Sequence, residues 1–132
     1  MSWIVDKIKW IMLVSGALTC TMLYAAVAPQ AALHSTFGHT LDGPVAEIVV
    51  RNWGALITLV GVMLIYGAYK PASRPLIVTV AGVSKLIFIG LVIAQGSHFL
   101  GQQVVVAAAI DLIEVILFTV YLVSERQSQV PN

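Results

Sequence analysis

Pro75-Leu-Ile-Val-Thr-Val-Ala-Gly-Val-Ser-Lys85-Leu-Ile-Phe-Ile-Gly-Leu-Val-Ile-Ala94 is the stretch that decides the fold. At ~1.5 Å per residue in a helix, it is long enough to cross the roughly 30 Å of a bilayer's hydrocarbon core. It carries one charge, Lys85, at its middle. A soluble helix of this length would keep a polar face, and this one has none. Three further stretches have the same character, over residues 10–27, 45–69 and 104–123. The chain as a whole is 59% hydrophobic and 10% charged, against about a quarter charged in ordinary soluble domains. A soluble fold of 132 residues has too little interior to hide that apolar surface, so lipid must cover it. The sequence therefore predicts an all-α membrane protein, an antiparallel four-transmembrane-helix bundle, forming one domain over 1–132.

Positive charge near the span ends sets the orientation. Lys7 and Lys9 precede the first span, Lys70 and Arg74 lie between the second and third, and Arg126 follows the fourth. The segments 29–44 and 95–103 contain no Lys or Arg. This places both termini in the cytoplasm and the protein in the cell's inner (plasma) membrane. Trp3, Trp10, Tyr66, Tyr69 and Tyr121 fall near the cytoplasmic boundary, with Tyr24, Trp53 and Phe99 near the other, as interfacial aromatics should. Lys7, Lys9 and Ala26-Val27-Ala28 imitate a signal peptide, but Pro29 after such a cut blocks cleavage, so the segment reads as a retained anchor. Pro29 and Gly38 bracket an expected interfacial helix, and Asp42-Gly43-Pro44 an expected turn. Cys20, the single cysteine, reads as a buried thiol within an apolar run.

The ionisable residues at membrane depth carry the functional information, because each costs at least ~2.5–3.5 kcal/mol to insert alone. Lys85 is ten positions from Pro75 and ten from Gln95, and Glu114 is ten from Val104 and nine from Val123. Their depths match on spans joined by a short loop, so a Lys85–Glu114 pair is expected. Nearer the outer face stand Glu47 and Arg51, four apart on one helical side, with Asn52 beside them. Arg51 is within reach of either Asp111 or Glu47. Glu47, Arg51, Lys85, Asp111 and Glu114 together leave one carboxyl in excess, to be protonated or bound to a cation.

These residues fall on stripes of helical period. The second span offers Glu47, Arg51, Gly54, Thr58, Gly61, Ile65 and Ala68. The third offers Gly82, Lys85, Ile89 and Val92, and the fourth Ala108, Asp111, Glu114 or Val115, Phe118 and Tyr121. The first offers Ser15, Thr19 and Met22. All four stripes are expected to face a common interior. The same charges read either as an ion-pair network fixing helix register or as a site for a ligand or proton.

His34, His39 and His98 gather toward the outer side near Asp42 and Glu47, but their spacing matches no metal motif. No histidine lies within a span to anchor haem or quinone. No nucleophile elbow, phosphate-binding loop or paired His/Glu motif occurs. The expectation is therefore no catalytic residue, no cofactor and, at a net charge of +1, no nucleic-acid partner. The lipid bilayer is the expected partner, with further copies of the chain or a larger membrane complex.

The run Phe37-Gly-His-Thr-Leu-Asp-Gly-Pro-Val-Ala-Glu-Ile-Val-Val-Arg51-Asn-Trp-Gly54 resembles part of a bacterial family of small four-span proteins grouped under a domain-of-unknown-function label. Arg74-Pro75, Gly96 and an acidic residue in the fourth span fit as well. That resemblance covers nearly the whole chain and implies a four-helix bundle without an assigned activity. Arg51-Asn52 is similar to the second-helix signature of the membrane glutathione and eicosanoid enzymes, although no glutamate follows within 53–69. Small proton-coupled drug exporters also have four short spans, but their essential acid lies in the first span, where this chain has none. Three functions are carried forward. The leading one is a non-enzymatic accessory or assembly subunit that binds a protein partner or lipid. The second is a proton-coupled carrier centred on Lys85, Asp111 and Glu114. The third is a lipid- or thiol-modifying enzyme using Arg51 and the cytoplasmic tyrosines.

Overall fold

The computed structural model describes residues 2–95 and 103–129. Among these residues every regular element is helical: α1 (Ser2–Cys20), α2 (Leu23–Val27), α3 (Pro29–Phe37), α4 (Pro44–Tyr69), a 3-10 turn (Pro71–Ser73), α5 (Arg74–Gln95) and α6 (Gln103–Gln129). Four segments are long and apolar enough to cross a membrane: Trp3–Val27, Pro44–Tyr69, Pro71–Gln95 and Gln103–Arg126. The first starts earlier than its expected beginning near Trp10. Asp6, Lys7 and Lys9 interrupt the hydropathy, but the backbone continues its i→i−4 bonding through them regardless of side-chain polarity.

The punctuation follows the local chemistry. Thr19 and Thr21 turn their hydroxyls back onto the carbonyls of Ser15 and Leu18, and such back-bonding competes with the helical ladder. The chain turns at Thr21-Met22 before α2 resumes. Pro29 opens α3, and Gly38 closes it at φ 77°, the left-handed end expected of a C-terminal glycine. Gly43 at φ 106° leads into Pro44 at the first turn of α4. At the opposite end of α4, Arg74 donates from Nε to the Gly67 carbonyl at 3.0 Å and from Nη2 to the Ala68 carbonyl. It thereby satisfies carbonyls that the end of the helix leaves without intrahelical partners.

The long helices pack in cyclic order, α1 on α4, α4 on α5, α5 on α6 and α6 on α1. The tightest seam is α1 on α4, where backbones nearly touch. A Cβ on Gly61 would stand 2.7 Å from Cys20 Sγ and 2.9 Å from the Gly16 carbonyl. Small residues permit this approach, which is how apolar helices gain packing without a hydrophobic driving force. Cys20 is half-buried in the same seam.

Two apolar clusters bracket the middle of the molecule. One joins Ile8 and Met12 to Leu64, Ala68, Ile77, Val78, Ala81, Phe118 and Tyr121. The other seats Ala32 and Leu33 of α3 against Ala25 and Val50, with Trp53 and Phe37 alongside. The outward surfaces are apolar too: Leu59, Ile87 and Leu91 are each more than half exposed. Only 22–28% of each span is buried within the protein, far too little for helices of this hydropathy to be stable in water.

The glycine seam makes a specific claim. Gly61→Val should cost about 1–3 kcal/mol through overpacking and lower the thermal unfolding midpoint in detergent. A Cβ on Gly82 meets nothing within 4 Å, so Gly82→Ala should leave the midpoint unchanged or raise it. Equal responses from the two variants would contradict the packing described.

Candidate functional site: a charged floor beneath an apolar cavity

Between the two apolar clusters lies a polar layer. Lys85 of α5 and Glu114 of α6 are buried, as are Ser15 and Thr19 of α1. The Lys85 ammonium donates to Glu114 Oε2 at 2.7 Å and to Asp111 Oδ1 at 3.0 Å. It reaches Thr19 Oγ1 at 3.5 Å, so all three of its donors are directed at oxygen. Ser15 Oγ donates to the same Glu114 oxygen at 2.9 Å, and Thr19 Oγ1 donates onward to the Ser15 carbonyl. Charge-assisted hydrogen bonds of this length in a low-dielectric interior are strong. Their value is offset by the desolvation of three ionisable groups.

The sequence signals explain the arrangement. Asp111 and Glu114 stand three apart, so one helical face presents both carboxylates. The four-carbon stem of lysine lets one ammonium lie between them. The expected Lys85–Glu114 pair is present. The expected interior stripes hold for Ser15 and Thr19, for Lys85 and Ile89, and for Glu114, Val115, Phe118 and Tyr121, all buried.

The outer group behaves differently. Of the two partners expected for Arg51, the structure selects Glu47, at 2.8 Å from Nη2, while Asp111 goes to Lys85. The remaining reach of Arg51 goes to the Ala26 carbonyl, 2.8 Å from Nη1, at the end of α2. Arg51 thus caps a short helix, and with its side chain 46% exposed its pairing contributes only a few tenths of a kcal/mol. Glu47, Arg51 and Asn52 are exposed and do not belong to the interior stripe. The expected Gly54, Gly61 and Ala68 are buried on that face, and Val50 takes its outer end in place of Glu47 and Arg51. The helical face was read one position off at its outer end, because α2 and α3 supply a second set of carbonyls and apolar contacts there.

Sequence reasoning missed what stands over the ion cluster. A cavity of about 430 Å3 opens above it, floored by Lys85, Asp111 and Glu114 and walled chiefly by apolar side chains, among them Trp53, Ile57 and Phe88. Ser35 and Thr36 of α3 line it as well, so the expected interfacial helix also helps to enclose it. A second, shallower groove of about 510 Å3 runs along the α1–α6 seam past Trp3, Lys7 and Trp10. Ser15 and Glu114 line it too, and Glu114 is thus shared with the cavity. Neither space is lined by Arg51. Cavities of this size, mostly apolar with a few convergent polar groups, are the usual form of small-molecule sites. No spacing rule in one helix reveals such a space, since five elements build it.

His34 and His39 are exposed, His98 lies outside the described residues, and no cluster of three metal-ligating side chains occurs among the described residues.

Removing the ammonium leaves the buried Glu114 and half-buried Asp111 carboxylates without their shared cation. Lys85→Met should cost about 3–5 kcal/mol, measured by thermal or denaturant unfolding in detergent. Neutralising the carboxylates as well, in Lys85→Met/Asp111→Asn/Glu114→Gln, should restore most of that loss. If the single variant is as stable as the parent, the ammonium is not held as described.

Compared with protein-family models, with curated proteins and with solved structures, the chain finds no match in any of the three, so its functional reading rests on the geometry of this site.

Proposed function

We propose that the protein is a multi-pass, non-enzymatic membrane protein that holds a lipid-like amphiphile in the cavity above Lys85, Asp111 and Glu114. On this reading it is an antiparallel four-helix bundle in the plasma membrane with both termini cytoplasmic. Its leading role is that of an accessory subunit whose partners are lipid and other membrane protein chains. The observation that carries the reading is the form of the cavity: about 430 Å3 of mostly apolar wall ending on an ion cluster. Apolar chain and polar head then have separate, matching surfaces. The apolar wall offers a chain a surface to cover, and Lys85, Asp111 and Glu114 offer a head polar partners.

The charge distribution supports the orientation. Lys9 Nζ lies 4.8 Å from the Tyr69 ring and 5.6 Å from that of Trp10, a basic and aromatic girdle suited to a cytoplasmic headgroup boundary. Arg74 belongs to the same end through its contacts with the last turn of α4. The exposed apolar faces of α4 and α5 supply the surface for lipid or a neighbouring subunit.

Two measurements check the proposal. Protein extracted from its native membrane in mild detergent should carry a co-purifying amphiphile by mass spectrometry. Ser84→Trp, which fills the cavity wall, should lose it while retaining the parent's elution volume and unfolding midpoint. An extract with nothing bound, or one whose occupant ignores the tryptophan, argues against the pocket. For orientation, in a Cys20→Ala background, Asp42→Cys should react with an impermeant maleimide on intact cells. Ser73→Cys should react only after permeabilisation. The reverse pattern would invert the topology.

A further inference from the structure

The ion cluster has a charge count that constrains its occupant. Two carboxylates, Asp111 and Glu114, share one ammonium, Lys85. Among the described residues, every other group lining the cavity or bonded to them is uncharged. From α1 come the hydroxyls of Ser15 and Thr19, and from α3 the hydroxyls of Ser35 and Thr36. The α4 wall contributes Trp53, Ile57 and Val60, none of which ionises. Among the described residues, Lys85 is the only cation lining the cavity. With both acids ionised the floor carries one uncompensated negative charge in an apolar setting, which is costly. The floor reaches neutrality by holding either one proton or one monovalent cation.

Resting on the amphiphile-pocket reading, we infer that the cavity takes a hydrophobic organic monocation in exchange for one proton held on the Asp111–Glu114 pair. The exchange balances. Before binding, two carboxylates, one ammonium and one carboxyl proton sum to zero. Binding breaks a single O–H bond, the proton leaves to water, and the cation's charge takes its place, so the sum stays zero. Nothing is oxidised or reduced. The geometry also provides separate routes. Glu114 lines both the cavity and the α1–α6 groove, so the proton leaves through the groove while the ligand fills the cavity. Among the described residues, Lys7 is the other charged group along that groove, and Ser15, which lines it too, is bonded to Glu114 Oε2. The aromatic rings of Trp53 and Phe88 on the cavity wall favour a cation electrostatically over an anion of equal size.

The test uses two ions of the same shape and opposite sign, tetraphenylphosphonium and tetraphenylborate. Full-length protein in neutral phosphatidylcholine nanodiscs is titrated with each, with empty nanodiscs giving the background from lipid partitioning. Tetraphenylphosphonium should bind saturably. In weakly buffered solution it should release about one proton per ion bound, and its affinity should fall by about tenfold per pH unit on the acid side, as one-for-one competition requires. Tetraphenylborate should show no saturable binding. Glu114→Gln should lose the proton release, and Asp111→Asn provides the same reading if the Gln variant does not fold. Equal binding of both ions, or cation binding that ignores pH and releases no proton, overturns the exchange. Absence of saturable cation binding, while a Ser84-dependent amphiphile still co-purifies, overturns this inference and leaves the pocket standing. Loss of both removes the pocket as well.

Discussion

An ammonium at the centre of an apolar helix is the constraint around which this molecule is arranged. Alone among lipid tails, Lys85 would cost several kcal/mol, and a helix carrying it would either snorkel toward an interface or rotate toward a partner. Here it rotates inward. Asp111 and Glu114 on α6 meet it, and Ser15 and Thr19 on α1 complete the hydrogen bonding. Three helices are thereby fixed in rotation and depth. The fourth, α4, is held by a different device, the close approach of Gly61 to Gly16 and Cys20 on α1. Specific polar bonding on one side of the molecule and small-residue packing on the other are the two means by which helices associate when lipid removes the hydrophobic incentive.

The same constraint separates structure from function within the charged residues. Glu47 and Arg51 form a pair that is nearly half exposed on each side, and Arg51 spends its other nitrogen on the end of α2. Its role is completed by those contacts. The central cluster is not completed in this way. Its second carboxylate leaves a negative charge that the described side chains do not neutralise, and it lies on the floor of a cavity instead of in packed protein. A purely structural ion pair would be most stable with one acid per base and no space above it. The extra acid and the open space together are what the proposed ligand exchange rests on.

Much of the fold was legible in residue order. Span lengths follow from runs such as 75–94, and the α3 boundaries follow from Pro29 and Gly38. The Lys85–Glu114 pair follows from equal depth on neighbouring spans. What was not legible had a common cause: it depended on elements outside the helix being read. Asp111 was within reach of Arg51 by sequence, yet lysine's stem gave it a nearer partner, while Arg51 was drawn to carbonyls at the end of α2, whose existence rests on the turn at Thr21-Met22. Ser15 was expected on the interior stripe of the first span, but only the height of Glu114 against α1 gives its hydroxyl an acceptor. The cavity takes walls from α1, α3, α4, α5 and α6, so no periodicity in a single helix announces it.

Solid-state NMR on the protein in lipid bilayers, with 15N at the Lys85 ammonium and 13C at the Asp111 and Glu114 carboxyls, tests the central claim most directly. The account requires strong dipolar coupling from that one nitrogen to both carboxyl carbons, consistent with contacts of 3.0 Å and 2.7 Å to their oxygens. Coupling to neither carbon, with the ammonium instead close to lipid acyl protons, would contradict it.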